Sequence, residues 1–187
     1  MRKIVIGSVA LAFGFASMSA FAVSAKESGI YLEGNVGYAK VKESVTNASK
    51  DNNTGFGWNV NAGYKFMPYF AAEVGFLGYP NENFGEAKGS QNYAIDVAAK
   101  GILPFSDSGF SLFGKLGSAW VHHRIEPKSG YTLTNSGTYK KFTALVGVGA
   151  AYAFTENFEV LLQGSATTKN GNVPSMWLGT LGVSYLF

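Results

Sequence analysis

Trp177-Leu178-Gly179-Thr180-Leu181-Gly182-Val183-Ser184-Tyr185-Leu186-Phe187 ends the sequence. Successive side chains of an extended strand point to opposite sides. Counted back from Phe187, the residues Tyr185, Val183, Leu181, Gly179 and Trp177 therefore share one face. That face is apolar, with aromatics at both ends. The other carries Thr180, Gly182 and Ser184 between Leu178 and Leu186. Such a strand suits a sheet whose outer surface meets lipid. A terminal aromatic suits a last strand that must close against the first.

The same period of two recurs seven more times, at about 30–40, 56–66, 69–79, 92–103, 110–122, 139–154 and 158–168. In the clearest case Phe56, Trp58, Val60, Ala62, Tyr64 and Phe66 alternate with Gly57, Asn59, Asn61, Gly63 and Lys65. Each segment approaches the ~9–11 residues of a tilted transmembrane strand. The connections alternate as well. Those after the second, fourth and sixth segments are short (Met67-Pro68, 104–109 and Thr155-Glu156-Asn157). Those after the first, third, fifth and seventh are longer and polar (41–54, 80–91, 123–138 and 169–175). Short turns at one end and long loops at the other are the plan of an outer-membrane barrel with both termini at the periplasmic end. The run after Pro80 reads as a plain surface loop. The expected fold is all-β: an eight-stranded antiparallel up-and-down transmembrane barrel.

Alternation does not by itself say which face is inside. The apolar faces carry more aromatic bulk than an eight-stranded interior can hold, whereas the opposite faces are lean, with Asn35, Gly37, Gly57, Asn61, Gly63, Gly75, Gly117, Gly147, Gly149 and Gly182. The aromatics also fall at two levels. Trp58, Tyr93, Trp120 and Trp177 lie near the loop end; Phe66, Phe70, Phe110, Phe154 and Phe158 lie near the turn end. These are the expected interfacial girdles. With apolar faces outward, Glu33, Lys65, Glu73, Asp96, Lys100, Lys115 and Glu159 face the lumen. Opposite charges confined there should pair or meet water, so ion pairs are expected among Glu73, Lys100, Lys115 and their neighbours. Eight strands leave no aqueous channel, and these charges read as a structural plug ahead of an ion path.

Composition agrees with export and limits the chemistry. Arg2 and Lys3, the apolar run to Ala16 and the small residues after it form a signal peptide, residues 1–25, with cleavage after Ala22 or Ala25. The barrel domain then spans 26–187. Losing Arg2 and Lys3 from 15 basic residues leaves 13 against 12 acids, so no nucleic-acid surface is indicated. There is no cysteine. No later apolar run approaches the ~20 residues of a membrane-spanning helix. Candidate catalytic groups are sparse. Ser118 and His122 share a side but stand ~13 Å apart along one strand, too far for a nucleophile and its base. His122 and His123 point to opposite sides, a poor metal pair. Glu73 and Asp96 could be read as an acid–base couple, but bases share their lumen. No catalytic residue, metal or cofactor is assigned.

The residues Gly63-Tyr64-Lys65-Phe66-Met67-Pro68-Tyr69 with Glu73-Val74-Gly75, Ala99-Lys100-Gly101, Lys115-Leu116-Gly117, Gly149-Ala150-Ala151-Tyr152-Ala153 and the closing Leu181 to Phe187 resemble the OmpA-type outer-membrane β-barrel family over essentially the whole mature chain. The resemblance implies that Tyr185 and Phe187 belong to the signal read by the outer-membrane assembly machinery. It also implies that Glu73, Lys100 and Lys115 match the family's lumen ion-pair positions. The prototype carries further lumen charges where this chain has Ala151 and Leu161, so the network is reduced. The prototype also continues into a peptidoglycan-binding domain, and cell-wall tethering is not carried over.

The expected protein is a monomeric outer-membrane barrel of a Gram-negative bacterium, non-enzymatic, serving envelope integrity or surface contact such as adhesion or host interaction. Its expected partners are outer-membrane lipid and lipopolysaccharide, the assembly machinery, and host or surface ligands reached through loops. Loop one (Lys40, Lys42, Glu43, Lys50, Asp51) and loop three (Arg124, Glu126, Lys128, Lys140, Lys141) are the longest contact surfaces. A lipid A-modifying enzyme and a passage for small hydrophobic molecules are the alternatives.

Overall fold

The computed structural model describes residues 27–42, 52–80, 82–84, 87–105, 108–127, 137–171 and 173–187. The expected signal peptide lies outside them, as do Glu43, Lys50, Asp51 and Lys128 of the loops and the side chains of Lys42, His123, Arg124 and Glu126. Nine strands follow one another: β1 (Gly29–Lys42), β2 (Asn52–Met67), β3 (Phe70–Gly78), β4 (Glu82–Phe84), β5 (Ala87–Pro104), β6 (Phe110–Pro127), β7 (Gly137–Ala153), β8 (Phe158–Thr167) and β9 (Ser175–Leu186).

Eight of them close into an antiparallel up-and-down barrel. β3 pairs with β5, from Phe70↔Gly101 to Gly78↔Tyr93, and β1 pairs with β9, from Tyr31↔Leu186 to Lys42↔Ser175. Closure gives the backbone groups of the wall partners without water, the condition for crossing a bilayer. The seam continues past the last strand, where the Phe187 N–H donates to the Ile30 carbonyl at 2.9 Å.

β4 corrects the sequence reading of 80–91 as a plain loop. It pairs with the start of β5, Glu82↔Gly89 to Phe84↔Ala87, and lengthens that hairpin beyond the wall. β2, β6 and β7 also begin or end farther out than expected, at Asn52, Pro127 and Gly137. Above the lipid both faces of a ribbon meet water, so no apolar alternation marks these extensions.

The wall sorts its side chains as the period of two requires. A lipid-facing belt runs through Val36, Val60, Val74, Val97, Leu116, Val148, Leu162 and Leu181, one exposed aliphatic residue from each wall strand. A continuous exposed apolar belt of this kind fits hydrocarbon and is foreign to a soluble monomer. At the loop end the rings of Trp58, Phe76, Tyr93 and His122 stack across β2, β3, β5 and β6, with centroids 5.6, 5.5 and 4.6 Å apart. At the turn end one edge-on pairing recurs three times: Tyr64–Phe66, Tyr152–Phe154 and Tyr185–Phe187, at 4.9, 5.0 and 4.9 Å. Phe70 joins Phe66 at 5.9 Å, and Phe110 lies 5.7 Å from Phe105.

Candidate functional site: the lumen and its rims

Five strands converge on one buried carboxylate. Glu33, on β1, is 1% exposed. Its oxygens accept hydrogen bonds from Asn35 Nδ2 and Asn61 Nδ2, both at 2.8 Å, from Gln163 Nε2 at 3.1 Å, and from the ammonium groups of Lys100 and Lys115 at 3.0 and 3.5 Å. A second carboxylate, Glu73 on β3, accepts from the Tyr31 hydroxyl at 2.8 Å. It also pairs with Lys115 at 2.6 Å and with Lys100 at 3.8 Å. Two acids thus face two bases, and amide and phenol donors take up remaining lone pairs. That arrangement is what lets charges stay ionised away from water. Lys100 further places its Nζ 4.3 Å from the centre of the Phe113 ring.

The pairs expected around Glu73, Lys100 and Lys115 are present in this geometry. Sequence reasoning listed Glu33 as a lumen charge but missed it as the hub. Its phase and charge gave a signal; its partners on other strands, 28 to 130 residues away in sequence, gave none. Asp96 also faces inward and is buried, yet it forms no ion pair among the described residues. Its Oδ2 and Asn61 Oδ1 border the space over Gly75, where a Cβ would collide with both.

Toward the loops the lumen turns apolar. Ala39, Leu77, Val121, Leu145, Met176 and Leu178 pack together there, joined by Val173 from the β8–β9 connection, which is completely buried. Toward the turns the lumen opens into a cavity of about 450 Å³. Lys100, Tyr31 and Phe113 form its inner end; Pro68, Tyr69 and Pro104 line its mouth, and Lys65 and Glu159 its sides. Ala151 and Leu161, where the resembling family's prototype carries charge, pack here on Phe113. The interior is therefore three layers: a vestibule, an ionic layer and an apolar layer.

Ser118 and His122, weighed for catalysis, lie on the lipid side of the wall. Ser118 Oγ donates to the Thr143 carbonyl at 3.4 Å, and the His122 ring stacks on Tyr93. Glu73 and Asp96 are not a couple, because Glu73 is engaged by two lysines and a tyrosine.

Comparison with known proteins agrees with this architecture. Neisserial surface protein A superposes with a TM-score of 0.67 at 18% identity, covering 85% of this chain and 97% of its own. The N-terminal barrel of Pseudomonas aeruginosa OprF gives 0.57 at 16%, covering 86% and 100%. Ail, the attachment invasion locus protein of Yersinia pestis, gives 0.57 at 18%, covering 85% and 99%. At these identities the likeness is one of fold. No curated protein sequence matches the chain. A family model described as the outer membrane protein beta-barrel domain matches residues 8–187. The chain therefore belongs to that family and is a β-barrel of the Gram-negative outer membrane.

Proposed function

We propose that this protein is a non-enzymatic outer-membrane barrel that acts at its outer surface, through envelope integrity and loop-mediated contact, and that its lumen is a structural plug. The observation that carries the reading is the layering of the interior. An ionic layer centred on Glu33 and an apolar layer that includes the buried Val173 stand, among the described residues, between the vestibule and the loops. A filled lumen leaves the two ends as the places where anything can be met. The fold accommodates such a role: Ail was crystallised in complex with the heparin analogue sucrose octasulfate. In planar bilayers the protein should show no stable open level; one that shifts with Lys100→Ala would overturn the plug. A deletion strain should lose envelope resistance or cell adhesion, versions with exchanged loops one and three should fail to restore it, and lipid A masses should be unchanged. Restoration of the phenotype by the loop-exchanged barrel would count against surface contact.

Phe187 and Tyr185 are proposed to serve assembly more than stability. Both side chains face lipid at the turn end, and the backbone of Leu186 bonds to Asn157 in the adjacent turn. A charge near the interface costs a folded barrel only ~0–1 kcal/mol. Phe187→Asp should therefore lower the amount inserted in cells severalfold while barely changing unfolding of the purified, refolded protein. Wild-type insertion of Phe187→Asp would remove the role.

A further inference from the structure

We propose that Asp96 and Asn61 hold a monovalent alkali cation in the lumen, at the boundary between the ionic and apolar layers. The site lies in the interior and is independent of any role at the outer surface.

Asp96 on β5 stands across from Gly75 of β3, and Gly75 across from Asn61 of β2. The glycine leaves room between its neighbours. A Cβ there would collide with both Asp96 Oδ2 and Asn61 Oδ1, so the two oxygens border one small space. The Asn61 amide is oriented from its other end. Its Nδ2 donates to Glu33 at 2.8 Å, so the atom it turns toward Asp96 is the carbonyl oxygen. An ionised carboxylate only accepts. Acceptor therefore faces acceptor, and Asp96 Oδ2 has no donor among the described residues. Asp96 is 2% exposed, so bulk water does not supply one. Asn59, the next inward residue of β2 on the loop side, is 4% exposed, and its Oδ1 is also without a donor among the described residues. The next inward residues beyond Gly75 and Asp96 are Leu77 and Ala94, which belong to the apolar layer.

The lysines of the ionic layer are held by other acids. Lys115 lies 2.6 Å from Glu73 and 3.5 Å from Glu33, and Lys100 lies 3.0 Å from Glu33. The inward-facing charges also fail to balance. Glu33, Glu73, Asp96 and Glu159 stand against Lys65, Lys100 and Lys115, which leaves one negative charge in excess. Glu159 lines the open vestibule, whereas Asp96 is enclosed. A buried charge is paired or coordinates a metal ion, because leaving it bare costs far more. A water molecule would donate to both oxygens but leave the charge. A proton on Asp96 would serve Asn61 and leave Asn59 without a donor. A cation with water in its shell answers all three. Oxygen ligands suit a hard cation, and one excess negative charge calls for one positive charge, where calcium or magnesium would bring two.

The test refolds the full barrel from urea into neutral detergent in the chloride of sodium, potassium or choline at equal ionic strength. Urea unfolding is then followed by tryptophan fluorescence. Choline matches the screening but is too large for the space. Sodium or potassium should stabilise the wild type over choline, and the effect should saturate. At about ten times the dissociation constant of the ion, the folding constant should rise about elevenfold. Asp96→Asn removes the charge and should unfold alike in all three salts. Gly75→Ala, whose methyl group enters the space, should do the same. Should either substitution prevent folding, the other and the wild-type comparison decide. Glu159→Gln should keep the wild-type dependence. Equal wild-type stability in the three salts would overturn the site. So would the same dependence in Asp96→Asn or Gly75→Ala, or its loss in Glu159→Gln. An infrared band of a protonated carboxyl in sodium chloride that vanishes in Asp96→Asn would identify a proton as the occupant and overturn the cation.

Discussion

Glu33→Ala is expected to destabilise the folded barrel by about 3–5 kcal/mol, the usual consequence of removing one partner from a buried charge network. Five donors converge on this carboxylate, which has almost no contact with solvent. Without it Lys100 and Lys115 share Glu73 alone, and one positive charge in the layer is left unmatched. Urea unfolding in detergent, followed by tryptophan fluorescence, would measure the loss. Because the damage is a stranded charge, Lys100→Met in the same chain should recover part of it, and the double-mutant cycle should show coupling well above ~0.5 kcal/mol. Glu159→Ala, at the half-exposed side of the vestibule, should cost under ~1 kcal/mol by comparison. If Glu33→Ala unfolds within ~1 kcal/mol of wild type, the network does not hold the lumen together.

Valine at position 37 should keep the barrel from closing. Gly37 lies on β1 opposite Thr180 of β9, at the seam between the first and last strands. A Cβ there would run into the Gly179 carbonyl oxygen and come 2.7 Å from Thr180 Cα. These are backbone atoms held in a ladder, so they cannot swing aside as a side chain would. Gly117 stands in the same relation to β5, its Cβ position overlapping the Val97 carbonyl oxygen and lying 2.7 Å from Ala98 Cα. We expect Gly37→Val to cost about 3 kcal/mol or more, at or above the top of the ordinary range for overpacking. It should appear as loss of the folded band on unheated gels. Gly164→Val is the matched control: Gly164 faces lipid, and nothing lies within 4 Å of its Cβ position. Equal tolerance of the two valines would show that close approach at the seam does not decide closure.

Much of this architecture is legible along the chain, and particular residues show why. Trp177, Val183 and Phe187 fall on one side of β9 because hydrocarbon demands an apolar face at every second position, and that demand repeats on every wall strand. The same rule puts Lys100 and Lys115 inside. It is silent where hydrocarbon ends, which is why the β4 ribbon and the outer lengths of β2 and β6 were not foreseen. It is also silent on the rims: that Lys141 reaches the Gly171 turn shows only once the Asn170 and Thr168 anchors hold the β8–β9 connection against β7.

The sequence alone determined the strand count of the wall, the face each strand turns to lipid and the side on which each charge lies. All three follow from a period of two set against a uniform apolar solvent. Only the tertiary structure decided that Glu33 is the hub, that Asp96 stands apart from it, and that the vestibule stops at Lys100. Which side chains meet across a closed barrel depends on the stagger of the strands around the ring. That stagger is fixed by the ladder pairings of all eight strands together and leaves no trace in the alternation of any one of them.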